Sequence, residues 1–162
     1  MKRPLAVATW LAGTLFTGVA GAVDVSITGN LVESLPCKIN NDDPIDVDFG
    51  DDLIINKIDG TAYSVTISYN VACADTTGNV RLSFQGRAAA FDATAVETSR
   101  AGLGIRLLLG GRVLAINSTA GTVINPAALP VLSAVPVVNG GAGQEPTDGP
   151  FTATATLLAS YD

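Results

Sequence analysis

Apolar and polar residues alternate with a period of two along most of this 162-residue chain, and that pattern restricts it to strands. Residues 64–71 set Val65, Ile67, Tyr69 and Val71 against Ser64, Thr66, Ser68 and Asn70. After a turn cluster at 75–79 the alternation resumes through Val80, Leu82 and Phe84. Residues 104–109 and 112–116 flank Gly110-Gly111, a two-residue hairpin signal. Residues 151–161 alternate Phe151, Ala153, Ala155, Leu157, Ala159 and Tyr161 with Thr152, Thr154, Thr156, Leu158 and Ser160. No segment holds a helical period, since Ala88-Ala89-Ala90 is too brief. Pro126, Pro130 and Pro136 interrupt 124–138, so a strand there is expected to be an edge or irregular one. Residues 139–149 are rich in Gly and Pro and read as a loop. Short strands at regular spacing in a chain of this length predict one all-β domain, a sandwich.

The first residues set the compartment. Lys2 and Arg3 precede an apolar run over 5–19, and Ala20-Gly21-Ala22 supplies small residues suited to signal-peptidase cleavage. An uncleaved anchor fits less well, because the run falls short of the roughly 20 residues of a membrane span. Residues 1–22 are therefore expected to be removed, leaving Val23 first. Seven basic residues then stand against fifteen acidic ones, so 7 − 15 leaves −8 on the remaining chain. That balance argues against nucleic acid, whose phosphates need a basic surface. Cys37 and Cys73 are the only cysteines, and in an exported protein an even pair reads as a disulfide. Closing that loop stabilises a fold by about 4 kcal/mol on a chain-entropy account. A redox or metal centre is the poorer reading, since the chain has no C-x-x-C and no histidine.

Both ends of the remaining chain are unusual. Residues 23–31 alternate Val23, Val25, Ile27, Gly29 and Leu31 with Asp24, Ser26, Thr28 and Asn30, and they precede the cysteine loop. They are either the first strand of the sandwich or a detachable strand suited to β-augmentation of another sheet. At the other end, a strand over 151–161 with no successor exposes an open groove and an unpaired backbone edge.

Taken together, these residues resemble the pilin family of chaperone–usher fimbriae, across the whole chain beyond the leader. Tyr161 is penultimate, Gly149 lies fourteenth from the end, and an alternating strand runs between them, like the family's C-terminal signature read by a periplasmic chaperone. One cysteine follows the N-terminal extension in Leu35-Pro36-Cys37, and the other ends a strand in Asn70-Val71-Ala72-Cys73, as in pilins. Val47-Asp48-Phe49-Gly50 is also similar to the family, as is the glycine within the alternating N-terminal set. The resemblance implies an immunoglobulin-like sandwich that lacks its last strand and is completed by a donor strand from a chaperone or another subunit. It divides the chain into a signal peptide (1–22), a donor-strand extension (23–33) and a pilin domain (34–162). It implies that Val23, Val25, Ile27, Gly29 and Leu31 enter a neighbour's groove. There, a glycine would face a narrow place. Gly149, Phe151, Ala153, Ala155, Leu157, Ala159 and Tyr161 would flank this chain's own groove and serve chaperone recognition. The implied partners are the periplasmic chaperone, the outer-membrane usher and neighbouring pilins. The implied destination, reached through the periplasm, is the cell-surface fimbrium, where the subunit supports adhesion. The N-terminal extension argues against a two-domain tip adhesin; major shaft, minor adaptor and terminating subunits all fit the sequence, and the loop-rich segment 124–149 favours a minor one. The rival reading is a self-contained secreted β-sandwich that binds carbohydrate or protein.

Other motifs carry no chemistry. The acidic stretch Asp42, Asp43, Asp46, Asp48, Asp51 and Asp52 fails the calcium-loop template, because the twelfth position from Asp46 is Lys57. It reads as a solvated loop and strand edge. Gly102-Leu103-Gly104 lacks the third glycine and the Lys-Ser/Thr of a phosphate loop. There is no G-x-S-x-G elbow, and the lack of histidine removes the usual base for a Ser or Cys nucleophile. No catalytic residue, metal or cofactor is expected. Asn117-Ser118-Thr119 matches a glycosylation sequon that has little meaning in a bacterial chain.

Overall fold

A computed structural model of the chain describes residues 26, 28, 29, 37–74 and 79–161. The chain divides into two units, Met1–Val32 and Glu33–Asp162. Of the first, only Ser26, Thr28 and Gly29 are described, and all three are exposed. Every described strand belongs to the second.

Those strands are β1 (Cys37–Ile39), β2 (Val65–Ile67), β3 (Val71–Cys73), β4 (Val80–Gly86), β5 (Ala88–Ala89), β6 (Asp92–Glu97), β7 (Leu103–Leu109), β8 (Arg112–Val113), β9 (Thr122–Ile124), β10 (Leu132–Val138) and β11 (Ala155–Tyr161). One sheet runs β2-β10-β7-β6-β5, with β8 beside β7; a second runs β11-β4-β9; β1 and β3 form a short ladder of their own. Ile67, Val96, Ile105, Leu107 and Leu132 from the larger sheet pack with Val80, Leu82, Phe84 and Ile124 from the smaller and with Val71 of β3. The core therefore lies between two layers, as the alternation requires.

Several segments change sheets part-way. β2 pairs with β10, but β3, four residues further, pairs with β1. Burial nevertheless alternates without a break from Val65 to Val71. Likewise Ala153 bridges Thr98 beside the larger sheet, and β11 then joins β4. The expected single strand over 151–161 is thus broken at Thr154. A third crossing follows the hairpin, where Leu109 pairs with Arg112 across Gly110 and Gly111. Both glycines have positive φ (57° and 78°), as a two-residue turn of this hand needs. Beyond it Ile116 bridges Phe84 in the smaller sheet. Asn117 extends that edge: its amide nitrogen donates to the Gly86 carbonyl at 2.9 Å and its amide oxygen accepts from Gly86 N–H at 3.1 Å.

One expectation is corrected. β10 is neither an edge nor irregular; it lies between β2 and β7, and Pro136 is fully buried within it. β2 flanks it only from Leu132 to Ala134, so Pro136 sits past the reach of its second neighbour, and its missing N–H interrupts no ladder on that side.

On the outer face of the larger sheet, Ala89, Ala95 and Val137 form a second cluster with Phe91. Gly104 permits this closeness: a Cβ there would stand 2.9 Å from that of Ala95 and 3.3 Å from that of Ala89. On the same sheet, Asp92 accepts from Arg106 Nε at 2.7 Å and from the Thr94 hydroxyl at 2.7 Å. Partial burial works against the Asp92 charge, but these donors outweigh it and hold the carboxyl below its ordinary range.

Candidate functional site

Among the described residues, β11 is paired on one edge only. Its ladder with β4 runs from Ala155↔Gly86 to Tyr161↔Val80. Its other edge has no ladder partner among the described residues. Leu157, Ala159 and Tyr161 turn inward and are half-buried, whereas Thr156, Leu158 and Ser160 face solvent. The strand is therefore well placed on the core, with one edge left without a ladder among the described residues.

Across a gap from that edge runs the segment 42–49. Ile45, Val47 and Phe49 are half-buried against the core, while Asp46 and Asp48 are exposed. The segment has the side-chain alternation of a strand but joins no ladder among the described residues. Two features set where it starts. The Cys37–Cys73 disulfide ties β1 to β3 at directly opposed positions, with Cα atoms 4.1 Å apart. The chain then reverses through Asn40, Asn41 and Asp42, all at positive φ (49°, 56° and 68°). Asn and Asp tolerate that conformation best among residues with a side chain. Lys38 Nζ donates to Asp42 at 2.6 Å across this turn, and the bond raises the lysine's pKa.

Between the two walls lies a groove of about 880 Å³. Its floor is the core itself, including Ile67, Phe84, Val96, Ile105, Leu107 and Leu132. The rings of Phe49 and Phe151 meet with centroids 6.0 Å apart, one from each wall. The groove thus has a hydrophobic floor and, along one side, a strand edge with no ladder partner among the described residues. Such a site suits an extended peptide with apolar residues at every second position. Among the described residues no His, Cys, Asp or Glu cluster is placed to hold a metal.

Phe151, Ala153, Ala155, Leu157 and Ala159 line the groove. Tyr161, at the end of β11, packs on the core outside that lining. Gly149 is also outside it. Its φ is +117°, and a Cβ there would collide with the Arg100 guanidinium, which donates from Nε to the Pro150 carbonyl at 2.9 Å. Of the suggested donor residues, Gly29 is described and exposed. Val23, Val25, Ile27 and Leu31 lie outside the described residues. Sequence reasoning had not placed Ile45 and Val47 in the wall. Their alternation with Asp46 and Asp48 was a signal for it, masked by the acidic composition.

Comparison with known proteins agrees with this geometry. The family described as "Fimbrial protein" matches residues 25–162. The uncharacterized fimbrial-like protein YfcQ of Escherichia coli (strain K12) is 34% identical over 157 residues, covering 90% of this chain and 92% of that protein. The P pilus rod subunit PapA superposes with a TM-score of 0.60 at 20% identity, covering 85% of this chain and 99% of PapA. For the P pilus adaptor subunit PapF the TM-score is 0.57 at 24% identity, covering 80% and 98% of the respective chains. These likenesses identify the open sandwich as the immunoglobulin-like fold of pilins. The chain belongs to the fimbrial protein family, by the match over residues 25–162 and the 34% identity to YfcQ.

Proposed function

We propose that this subunit polymerises by donor-strand exchange, taking an extended strand into the groove beside β11 and giving its own residues 23–33 to a neighbour. In this reading residues 1–22 are a cleaved leader, and a periplasmic chaperone fills the groove until the outer-membrane usher hands the subunit on. The assembled fimbrium then supports adhesion at the cell surface. The observation that carries the reading is the apolar groove, about 880 Å³, bounded by the unladdered edge of β11. A donor strand that seated four apolar side chains would gain roughly 1.5–3 kcal/mol for each fully buried one, and its backbone would complete the ladder. Val23, Val25, Ile27 and Leu31 supply such a set, with Gly29 between them to fit a narrow place in the neighbour's groove. PapA and PapF are named as pilus subunits, and the P pilus work on PapF concerns polymerisation reactivity.

Production of the chain without a chaperone tests this directly. The expected result is self-association or aggregation that is relieved by adding an alternating apolar peptide in trans. A stable, monodisperse monomer indifferent to the peptide would instead identify a self-contained binding domain.

A further inference from the structure

We infer that the groove selects a donor strand whose solvent-facing residues are basic, and that it discriminates against a second copy of this chain. This rests on the proposed role of the groove and goes on to name its partner's chemistry. Among the described residues, the groove lining includes Asp42, Asp43, Asp46 and Asp48 and contains no Lys or Arg. All four aspartates are exposed. Lys38 pairs with Asp42 at 2.6 Å, and Asp48 accepts the Gly50 N–H at 2.8 Å. Asp43, Asp46 and Asp48 have no cation paired with them among the described residues. Three arginines are engaged elsewhere: Arg87 with Glu97, Arg106 with Asp92, and Arg100 with the Pro150 carbonyl. The opposite wall, residues 151–159, carries no charge at all.

A strand lying along the segment 42–49 would sit about 4.8 Å from it. Its inward residues would drop beside Ile45, Val47 and Phe49, and its outward residues would stand next to Asp46 and Asp48. That distance is well inside the screening length of about 8 Å at physiological salt. Opposite charges at such cross-strand positions attract, and like charges repel. The chain's own residues 23–33 would bring Asp24 at an outward position and no cation, because no Lys or Arg occurs between Arg3 and Lys38. A second copy would therefore add negative charge to a rim that is already uncompensated. A heterologous donor with Lys or Arg at outward positions would neutralise it.

Synthetic donor peptides test this on the full chain refolded from denaturant, by the peptide concentration that gives half-maximal recovery. One peptide has the sequence of residues 23–33, and the other carries Asp24→Lys and Thr28→Lys, both at outward positions. The basic peptide should act at about three- to tenfold lower concentration at low salt. That advantage should vanish in about 1 M salt, where the screening length falls to about 3 Å. A chain carrying Asp43→Asn, Asp46→Asn and Asp48→Asn should respond to the two peptides equally. Equal potency on the unaltered chain, or a preference indifferent to salt, would overturn charge selection while leaving the groove a strand acceptor. Failure of both peptides to restore folding would defeat the strand-acceptor reading, and this inference with it.

Discussion

At the scale of single residues, Gly104 shows how closely the larger sheet is packed on its outer face. A methyl group at this position would meet the Ala95 Cβ at 2.9 Å, the Ala89 Cβ at 3.3 Å and the Phe91 ring at 3.3 Å. Those atoms belong to strands or to the β5–β6 turn, so they have little freedom to retreat. Gly104→Ala should therefore destabilise the domain by about 1–3 kcal/mol, the usual cost of overpacking. Gly140 is the control, since nothing lies within 4 Å of a Cβ there. Gly140→Ala should stay within about 0.5 kcal/mol of the unaltered protein. Denaturant unfolding of the peptide-complemented chain would compare the two. Thr98 shows the polar counterpart of this packing. It is a buried polar residue, and its hydroxyl lies 3.0 Å from both the Arg100 and the Leu103 carbonyls, so one proton serves two acceptors.

At the scale of elements, the segment 42–49 behaves as a strand awaiting a ladder. It alternates and packs as a strand does, yet pairing is what defines one, and no partner is present among the described residues. Seating a donor peptide should therefore slow amide exchange at Ile45–Phe49 and Ala155–Ala159 by roughly tenfold or more, with β5 and β9 little changed. Hydrogen-exchange mass spectrometry would check this. Uniform slowing over the whole domain would mean that the peptide stabilises globally without completing a sheet. Much of the architecture was legible because one face of each strand is buried, which imprints a period of two on the residues. The Gly110-Gly111 hairpin and the inward set Leu157, Ala159 and Tyr161 follow from that pattern and from turn chemistry. Sheet switching at 68–70 and at Thr154 was not legible, because a strand can exchange hydrogen-bond partners without disturbing which residues face the core. The central place of β10 was hidden for a related reason. A proline forbids a ladder bond only where a neighbour is present to make one, and β2 stops before Pro136. The wall at 45–49 was obscured by its aspartates, which signal solvent exposure whether the exposed face belongs to a loop or to an unpaired strand.

At the scale of the molecule, the two ends of the chain make separable demands. Among the described residues, the groove is lined by residues between Cys37 and Ala159, with the core as its floor. If residues 23–33 serve only another subunit, their removal leaves the domain's capacity to take a strand intact and abolishes its capacity to give one. Deletion of 23–33 should therefore leave the half-maximal concentration of a donor peptide within about twofold of that for the full chain, a change of roughly 0.4 kcal/mol. The same deletion should prevent the subunit from completing the groove of another. Both halves can be read by size-exclusion chromatography of mixtures of the deleted and full chains with peptide. A deleted chain that no longer folds even with saturating peptide would assign residues 23–33 to the domain's own sheet. The hydrophobic effect sets the direction of this experiment: an open core floor is a standing penalty on the free subunit. Whichever strand covers it, supplied in cis or in trans, becomes part of the stability of the fold.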